Sequence, residues 1–379
     1  MMIYFDNAAT SQKKPPQVLE AVIEAMQTLG NCGRGSHRSS RSAAAMVYEA
    51  RRKLAAFFGC PRADHVVFTQ NATHALNMAL YGILGCGDHV ISTVAEHNSV
   101  LRPLYRLQKE VGLEFDLIPA DEKGTLQLEL LPKLLKANTK AVVCTQVSNL
   151  TGNITDLETI RQFTAEHKLL LIVDAAQSAG YLPIHMEQMG IDILCITGHK
   201  GLMGPQGTGA LLLRQDLDLR PLCVGGTGVQ SYLRKQPAQL PEHLEAGTLN
   251  AHGIAGLSAA IDYLNDLGLE RIRQREDALT AMFYEGVQKI PGVRVYGDFS
   301  RPHGPIVSLN LGNWDSGAVS DALAEDYGIA TRPGAHCAPL MHMALGTETQ
   351  GAVRFSFCYH NTEEEIVTAL RAVAALAAE

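Results

Sequence analysis

The segment from Ile196 to Arg214, ITGHKGLMGPQGTGALLLR, places a lysine after a histidine, where an apolar run gives way to a glycine-rich turn. The primary amine of Lys200 is a nucleophile that can condense with a carbonyl group. Earlier in the chain, the apolar run of LLLIVDAAQSAG ends on Asp174. A carboxylate in such surroundings is expensive to desolvate unless a cation is its partner. The two groups therefore indicate a buried site that uses an acid and a lysine together.

Polar side chains also end three other apolar runs. Asn149 ends the run in TQVSNLTG, His97 follows Glu96 in STVAEHNS, and Thr73 lies where TQNATHALN passes from strand to helix. This last junction points free helix amides and a hydroxyl at one place, which suits an anion. A ligand with a phosphate at one end and a protonated ring nitrogen at the other would use all of these groups. Pyridoxal 5′-phosphate (PLP) is such a ligand, and its aldehyde condenses with a lysine.

The elements that must position these residues are of the α/β type. Short β-type runs such as HVVFTQ, DHVISTVA, KAVVCTQV and DILCITG alternate with helix-period runs such as ATHALNMALYGIL and DLETIRQFTAEHK. This alternation predicts a mostly parallel central sheet with helices on both faces. Ligands of such sheets bind beyond the carboxyl ends of the strands, which is where the polar residues stand.

From about residue 265 the pattern changes. A long helical run is followed by the short β-type runs VRVYGD, PIVSLNL, GIATRPG and AVRFSFCYH, and the chain ends in a helix-period run. Such a mixture is typical of a smaller α+β domain. We therefore predict a large domain over 15–264 and a small domain formed by 1–14 and 265–379.

Composition narrows the classes of partner. The 379-residue chain has a net charge of −7 and 46% hydrophobic residues, and this acidic balance argues against a nucleic-acid partner. The densest basic stretch, GRGSHRSSR from Gly33 to Arg41, is expected to be a solvated loop. No apolar run approaches the roughly 20 residues that span a bilayer, MMIYFDNAAT lacks the features of a secretory signal, and the eight cysteines form no CxxC pair. We expect no membrane partner, a cytoplasmic location and reduced thiols.

The order of these segments resembles the class V aminotransferase branch of the fold-type I PLP enzymes. The dipeptide HK after an apolar strand, VDAAQ and SNLTG before it and EAGTLN after it are similar to motifs of cysteine desulfurases and selenocysteine lyases. The resemblance extends over almost the whole chain, from YFDNAAT to FSFCYHNT. It implies a PLP-dependent cysteine desulfurase that converts L-cysteine to L-alanine, forms a persulfide and passes the sulfur to a protein or a small thiol.

The resemblance also implies roles for the residues around the cofactor. Lys200 would hold the cofactor covalently and later move protons between the substrate Cα and the cofactor C4′. Asp174 would keep the pyridine nitrogen protonated, so that the ring can absorb the electrons of a carbanion. Gln177 and Asn149 would face the ring oxygen, and His97 would stack on the ring face as a further catalytic residue.

A second group of residues would bind the cofactor phosphate. In this chain the group consists of Thr73, His74, Thr197 and His199. Thr248, in EAGTLN, would reach the phosphate of the cofactor in the other subunit. The resemblance therefore implies a homodimer with active sites at the interface between its subunits.

The sulfur chemistry would lie in the predicted small domain. The segment ATRPGAHCAPLMH resembles the RxGxHCA loop of the group II desulfurases, and Cys337 matches the cysteine that attacks the substrate sulfur. Because a thiolate is the nucleophile, its loop should be mobile and partly exposed. Arg354, in AVRFSF, matches the arginine that grips the substrate carboxylate. Arg332 is a second candidate for that carboxylate, and His37 is a further candidate on the substrate side.

Departures from the family pattern leave the substrate and the sulfur acceptor open. Pro333 and Ala335 stand where the loop of the family reads RTGHHC, so the loop entry is stiffer and one histidine is missing. A selenocysteine lyase, or an aminotransferase or epimerase of the same fold, is an alternative. We predict no metal, because His336, Cys337 and His342 are too few ligands for zinc and no other pair is near in sequence.

Overall fold

The computed structural model describes residues 2–33 and 35–379. Its strands are β1 (Ile3–Tyr4), β2 (Val66–Thr69), β3 (His89–Thr93), β4 (Glu114–Ile118), β5 (Thr139–Thr145), β6 (Leu170–Asp174), β7 (Ile193–Thr197), β8 (Gly209–Leu213), β9 (Val293–Tyr296), β10 (Ile306–Leu311), β11 (Ile329–Ala330) and β12 (Val353–Ser356). Its α-helices are α1 (Pro16–Thr28), α2 (Arg38–Phe58), α3 (Ala72–Ile83), α4 (Asn98–Val111), α5 (Leu131–Leu134), α6 (Leu157–His167), α7 (Ala251–Leu267), α8 (Leu269–Val287), α9 (Ser316–Tyr327), α10 (Pro339–Leu345) and α11 (Glu363–Ala377). Within the described residues, none of these helices combines the length and the apolar character that crossing a bilayer requires.

The central element is a seven-stranded sheet with the strand order β2-β8-β7-β6-β5-β3-β4. Neighbouring strands are parallel, except that β8 is antiparallel to both β2 and β7. Every residue of β2, β3, β7 and β8 is buried, as is typical of a sheet covered on both faces. The mostly parallel α/β sheet predicted from the sequence is confirmed.

Alternate residues of the strands enter two separate hydrophobic clusters, one on each face of the sheet. Val67 and Val90 pack with helices α3 and α4. Phe68 and Ile91 pack with helices α2 and α7. This division follows from the period of two in a strand, which sends successive side chains to opposite faces. Because both faces are apolar, the polar groups of interest lie beyond the carboxyl ends of the strands.

Two helices begin directly at that edge of the sheet. Asn71 follows β2 and caps α3, since its side chain accepts a hydrogen bond from the amide of His74 at 2.9 Å. His97 follows β3 and caps α4 by accepting a hydrogen bond from the amide of Ser99 at 3.0 Å. A cap of this kind satisfies one free helix amide. The turn that ends each strand therefore also starts a helix whose first amides face the same edge.

The basic stretch from 33 to 41 is only in part the loop that its composition predicted: its described residues before Arg38 form a loop, and those from Arg38 onward do not. Its last four residues form the first turn of α2, and His37 is the N-cap, with Nδ1 accepting a hydrogen bond from the amide of Ser40 at 3.4 Å. Arg34 lies outside the described residues. From Arg38 onward the prediction was wrong, because the apolar face of α2, with Ala43, Val47 and the residues that follow, stabilises the polar first turn.

A second, three-stranded antiparallel sheet has the order β12-β10-β9. Together with α8, α9 and α11 it encloses a separate hydrophobic cluster that includes Phe283, Leu309 and Phe355. Phe5 joins this cluster from the start of the chain, because β1 pairs in parallel with β11. The smaller α+β unit is therefore present, while its boundaries, 1–14 and 265–379, stay a prediction.

A buried ion pair ties the segment around Glu245 to helix α2. The guanidinium of Arg51 donates to the two carboxylate oxygens of Glu245 at 2.7 and 2.6 Å, and it also donates to the carbonyl of Val66. The two side chains are only 6% and 9% exposed. Glu245 also accepts a hydrogen bond from the amide of Phe68 at 2.7 Å. These partners compensate the cost of burying both charges, and they anchor the segment that carries Thr248.

Replacing Arg51 with Met should destabilise the protein strongly, because the carboxylate of Glu245 would be left buried without its cation. We expect the free energy of unfolding to fall by about 3 kcal/mol or more, as measured by urea denaturation followed by circular dichroism. Arg52→Met is the matched control, since Arg52 pairs with Glu49 on the exposed surface and its loss should barely move the midpoint. Equal midpoints for the two variants would contradict the anchoring role of Arg51.

Candidate active site

The carboxyl ends of the central strands surround one cavity of about 270 Å³. Nine of the residues singled out in the sequence line it: Thr73, His97, Asn149, Asp174, Gln177, Thr197, His199, Lys200 and Arg332. Asp174 is the last residue of β6 and Thr197 the last residue of β7, and these two strands are neighbours in the sheet. The structure thus brings the acid and the lysine-bearing turn to the same edge.

Lys200 lines the cavity from a turn at which two stretches of backbone approach each other closely. A Cβ atom on Gly201 would lie 2.5 Å from the carbonyl oxygen of Ala179, and one on Gly180 would collide with the carbonyl of Gly201. Gly180 also has a φ of 90°, which side chains disfavour. On the other side, the hydroxyl of Ser11 donates to the carbonyl of Lys200 at 2.9 Å. The backbone of the lysine is therefore held between two segments.

Burial controls the protonation of the two charged groups. Desolvation lowers the pKa of Lys200 to about 8, and the carboxylate of Asp174 opposes that shift. Desolvation likewise raises the pKa of Asp174, while the amide of Ala176, which donates to it at 2.9 Å, and the charge of Lys200 act against the rise. A lysine with a pKa near 8 can release a proton close to neutral pH, which an ordinary lysine does not.

His97 is a neutral imidazole in a defined tautomer. Its Nδ1 accepts a hydrogen bond from the amide of Ser99 at 3.0 Å and lies 2.8 Å from the hydroxyl of the same residue. The ring proton is therefore on Nε2. Burial lowers the pKa of His97 to about 4, and the charges of Lys200 and Arg332 act in the same direction. Ser99, which the sequence analysis missed, fixes the orientation of this ring.

The first turn of α3 forms the anion-binding end of the cavity. Ala72 and Thr73 are its first helical residues, so their amides have no acceptor within the helix. The hydroxyl of Thr73 is 2.7 Å from that of Ser99. His74 does not line the cavity in the described structure, and its amide already donates to the side chain of Asn71. The two leading amides and the Thr73 hydroxyl are the groups placed to meet an anion.

Three buried polar atoms on the cavity wall lack a hydrogen-bond partner within the described residues. They are Oγ1 of Thr197, Nδ1 of His199 and Oδ1 of Asn149. Buried polar atoms in folded proteins are nearly always paired, so these three indicate a polar ligand. PLP carries a phosphate, which suits the first turn of α3 with Thr197 and His199, and a polar ring, which suits Asn149 and Asp174. The residues present therefore fit this cofactor.

Arg354 lies behind the wall of the cavity. It is 0% exposed, and Arg332, not Arg354, lines the cavity. The Nη1 of Arg354 donates to the carbonyl of Asn149 at 2.9 Å, and Nη2 donates to the carboxylate of Asp6 at 2.9 Å. Burial lowers the pKa of Arg354 to about 10, and Asp6 opposes the shift. In this conformation the guanidinium of Arg354 is hydrogen-bonded to a carboxylate of the protein itself, that of Asp6.

Thr248 and His37 lie away from the cavity. Thr248 lines a different cavity, together with Arg51 and Glu245. The ring of His37 caps α2. Within the described chain neither side chain is brought to the residues around Lys200.

Cys337 lies on a loop that contacts the residues of the cavity. Its carbonyl accepts a hydrogen bond from the amide of Asn98 at 2.8 Å, and the carbonyl of His336 accepts one from Nδ2 of Asn149 at 2.6 Å. The thiol-bearing residue is half-buried. His336 and Cys337 both have a left-handed backbone, with φ of 50° and 57°, which is uncommon for residues other than glycine. The loop is thus packed against the same strand ends that form the cavity.

The chain is similar over nearly its whole length to known proteins. The sequence profile of the class-V aminotransferase family matches residues 3–368. A probable cysteine desulfurase of Methanothermobacter thermautotrophicus is 36% identical over 375 residues, which are 96% of this chain and 92% of that protein. A cysteine desulfurase of Haloferax volcanii is 32% identical over 375 residues, which are 96% of this chain and 87% of that protein.

Solved structures show the same similarity in three dimensions. The apo structure of a cysteine desulfurase from Thermococcus onnurineus NA1 superposes with a TM-score of 0.92 at 34% identity, covering 100% of this chain and 95% of that one. The cysteine desulfurase CsdA (S-sulfonic acid) from Escherichia coli has a TM-score of 0.88 at 29% identity, covering 100% of this chain and 94% of that one. The similarity in three dimensions therefore extends over the whole of this chain.

In the cofactor-free protein, the amine of Lys200 should become reactive at a lower pH than an exposed lysine, because its pKa is about 8. Acetic anhydride reacts with the neutral amine, so the acetylation rate should rise with pH through about 8 and then level off. Asp174→Asn removes the anion that raises this pKa, so the midpoint should move to lower pH. Competitive trace labelling with peptide mapping measures both midpoints.

Lys136 serves as the internal control for this titration, because a hydrogen bond to Asp116 raises its pKa. Its acetylation should continue to increase with pH well beyond the point at which that of Lys200 levels off. A midpoint for Lys200 as high as that for Lys136 would show that the cavity does not desolvate the amine.

Proposed function

The chain belongs to the class-V aminotransferase family, and we propose that it is a PLP-dependent cysteine desulfurase. It converts L-cysteine to L-alanine and leaves the sulfur on Cys337, from which it passes to an acceptor. The observation that carries this function is the cavity in which Lys200 and Asp174 meet unpartnered polar atoms, beside the loop of a half-buried cysteine. Relatives named cysteine desulfurase, similar over nearly the full length, support the same activity.

The residues around the cofactor each have a proposed task. PLP supplies a carbonyl group for amines and a ring that withdraws electrons from the substrate Cα. Lys200 would hold it covalently and carry the proton that leaves Cα, a task for which its lowered pKa is suited. Asp174 would keep the ring nitrogen protonated, Gln177 and Asn149 would contact the ring oxygen, and the neutral His97 would contact the ring. The amide nitrogen of Gln177 already donates to the backbone at 3.0 Å, which fixes its orientation.

The phosphate belongs at the first turn of α3. Thr73, Thr197 and His199 bind it through side-chain groups, and the two leading helix amides add donors from the backbone. His74 supports this turn from outside the cavity. Thr248 would complete the phosphate site from the partner subunit; in its own chain it lines a different cavity.

The substrate carboxylate meets two arginines in turn. Arg332 lines the cavity and is the first to contact it. Arg354 would bind the carboxylate in competition with Asp6, which now accepts a hydrogen bond from Nη2 of its guanidinium. The backbones of the two arginines are hydrogen-bonded to each other at 3.2 and 2.8 Å, so an antiparallel β-bridge holds them side by side. His37 is the least supported residue on the substrate side, because its ring caps α2.

The sulfur step needs no external oxidant. The thiolate of Cys337 attacks the sulfur of the bound substrate, and an S–S bond forms as the C–S bond breaks. The electron pair stays on the carbon side, and Cβ takes up a proton as alanine is formed. One cysteine and one thiol thus give one alanine and one persulfide. An acceptor protein or small thiol then attacks the outer sulfur and removes it.

The proposed active form is a homodimer. Helix α1 exposes Leu19, Ile23 and Met26, which are 56%, 56% and 64% exposed and lie on one face of the helix. Val224 and Tyr232 are exposed as well, in the segment between β8 and α7. Apolar side chains in such number on one chain support a protein partner there, and a second copy is the partner that the proposed role of Thr248 requires.

The proposed place of action is the cytoplasm. All eight cysteines are free thiols, and free thiols persist where the surroundings are reducing. A persulfide on Cys337 also needs such surroundings to pass its sulfur on to a thiol acceptor.

Cys337→Ser should bind L-cysteine but form almost no alanine, because a hydroxyl cannot take up the sulfur. The wild-type holoenzyme, mixed with one equivalent of L-cysteine, should gain about 32 Da on the Cys337 peptide in roughly one adduct per chain and release a matching amount of alanine. Rapid quenching, intact-mass measurement and peptide mapping test both statements. Cys86→Ser, at an exposed site, is the matched control and should behave as the wild type.

Full alanine formation by Cys337→Ser would remove the cysteine from the mechanism. A wild-type protein that binds PLP but yields neither adduct nor alanine would contradict the desulfurase function itself. Comparison of kcat/KM for L-cysteine and L-selenocysteine then decides between a desulfurase and a selenocysteine lyase.

Asp6→Asn should tighten the binding of amino-acid substrates. The amide can still accept the hydrogen bond from Arg354, but it has no charge with which to compete against the substrate carboxylate. We expect the dissociation constant for L-alanine, followed by the absorbance of the bound cofactor, to fall by roughly three- to tenfold. Weaker binding in Asp6→Asn would show instead that Asp6 orients Arg354 for the substrate.

A further inference from the structure

A chain of three buried polar side chains lies beneath the Cys337 loop. His336, His342 and Thr347 are each at most 2% exposed. The Nδ1 of His342 is 2.7 Å from Oγ1 of Thr347, its Nε2 is 3.4 Å from Nδ1 of His336, and Nε2 of His336 is 2.9 Å from the carbonyl oxygen of Arg332. The three side chains do not line the cavity around Lys200. The reaction at the cofactor therefore leaves this arrangement unexplained.

The carbonyl of Arg332, at one end of this series of hydrogen bonds, fixes the direction of all of them. Burial lowers the pKa of both histidines, so each ring is neutral and carries one proton. The Nε2 of His336 faces a carbonyl oxygen, which only accepts, so this nitrogen carries the proton and Nδ1 is bare. His342 must then donate from Nε2, and its own bare Nδ1 accepts the hydroxyl proton of Thr347. Every donor points the same way, from Thr347 to the backbone of Arg332.

This arrangement also accounts for the pattern HCAPLMH without a metal. All four ring nitrogens of His336 and His342 face protein groups within hydrogen-bond distance. Among the described residues there is no group of three or more side chains that could hold a metal ion. His342 donates to His336 and accepts from Thr347, while His336 donates to the carbonyl of Arg332.

The hydrogen-bonded side chains of Thr347, His342 and His336 support an unfavourable backbone conformation. His336 and Cys337 are successive residues with left-handed φ angles, and such a conformation persists only where its surroundings hold it. Asn149 and Asn98 hold the two carbonyls, at 2.6 and 2.8 Å. The ring of His336 is held by the hydrogen bonds of the chain. Backbone and side chain of the residue before Cys337 are thus fixed independently.

We propose that Thr347, His342 and His336 are positioning residues for Cys337. Their directed chain keeps the loop in the left-handed conformation from which the thiolate reaches the substrate sulfur. This inference rests on the proposed function, in which Cys337 takes up that sulfur. The carbonyl at the end of the chain, that of Arg332, also accepts a hydrogen bond from the amide of Arg354 at 2.8 Å. The loop is thereby anchored to the β-bridge that joins Arg332 to Arg354.

Two matched pairs of variants separate the hydrogen bonds from packing. Thr347→Val keeps the shape of the side chain without its hydroxyl, whereas Thr347→Ser keeps the hydroxyl. His342→Leu removes both nitrogens, whereas the amide nitrogen of His342→Gln can still donate to His336. In a single turnover of the holoenzyme with L-cysteine, Thr347→Val and His342→Leu should form persulfide and alanine roughly tenfold more slowly. Thr347→Ser and His342→Gln should stay within about threefold of the wild type.

Two further readouts show where the loss arises. The dissociation constant for L-alanine, which has no sulfur, should change by less than about twofold in all four variants, because the chain positions the thiol and not the substrate. Alkylation of Cys337 by iodoacetamide, measured by peptide mapping, is independent of turnover. It should become roughly threefold faster or more in Thr347→Val and His342→Leu, since a loop without its support opens more often.

Several results would overturn the proposal. One is wild-type sulfur transfer and alkylation in both Thr347→Val and His342→Leu. Another is an equal loss within each matched pair, because packing would then be the cause. A parallel loss of L-alanine affinity would indicate general damage to the site. If the wild type itself forms neither persulfide nor alanine, the proposed function fails, and the alkylation rates still decide whether the chain holds the loop.

Discussion

Two opposite charges buried at the ends of neighbouring strands set the requirements that the rest of the site meets. The carboxylate of Asp174 and the amine of Lys200 each lose hydration, and each partly compensates the other. The sheet places Asp174 and the turn of Lys200 close together, because β6 and β7 are parallel neighbours and both end at the same edge. Two glycines let the lysine turn approach the backbone of Ala179 closely enough to stay in place.

Two titratable groups beside this pair, Glu96 and His97, add no further charge. Burial raises the pKa of Glu96 to about 8, so this carboxyl group is protonated at neutral pH and adds no second negative charge near Asp174. It accepts hydrogen bonds from Thr93 at 2.6 Å and from the amide of Thr145 at 3.0 Å. His97, with a lowered pKa, is neutral as well. A ring that binds here therefore meets one anion, Asp174, and two cations, Lys200 and Arg332, among otherwise neutral polar groups.

The sequence predicted the sheet and most of the cavity because both follow from local patterns. Apolar runs define the buried strands, and the polar residues at their ends meet wherever parallel strands end together. What it missed depends on contacts between distant residues. The pairing of Asp6 with Arg354 joins positions 348 residues apart, and no local pattern announces it. The helical start at His37 was missed because the four residues after it are polar, although a histidine followed by an arginine and two serines was a possible capping signal.

The pairing of β1 with β11 and of Asp6 with Arg354 has a consequence for how the protein is made. These early residues find their partners only after the last part of the chain has been synthesised. At ribosomal rates of about 5–20 residues per second, the wait is roughly 20 to 70 seconds. The large sheet can form during that interval, but Gln177 gains its hydrogen bond to the carbonyl of Ala8 only once the first strand has docked. A nascent chain can therefore carry a folded sheet with an unfinished cofactor site, which is completed when the segment around Tyr4 pairs with the segments around Ile329 and Arg354.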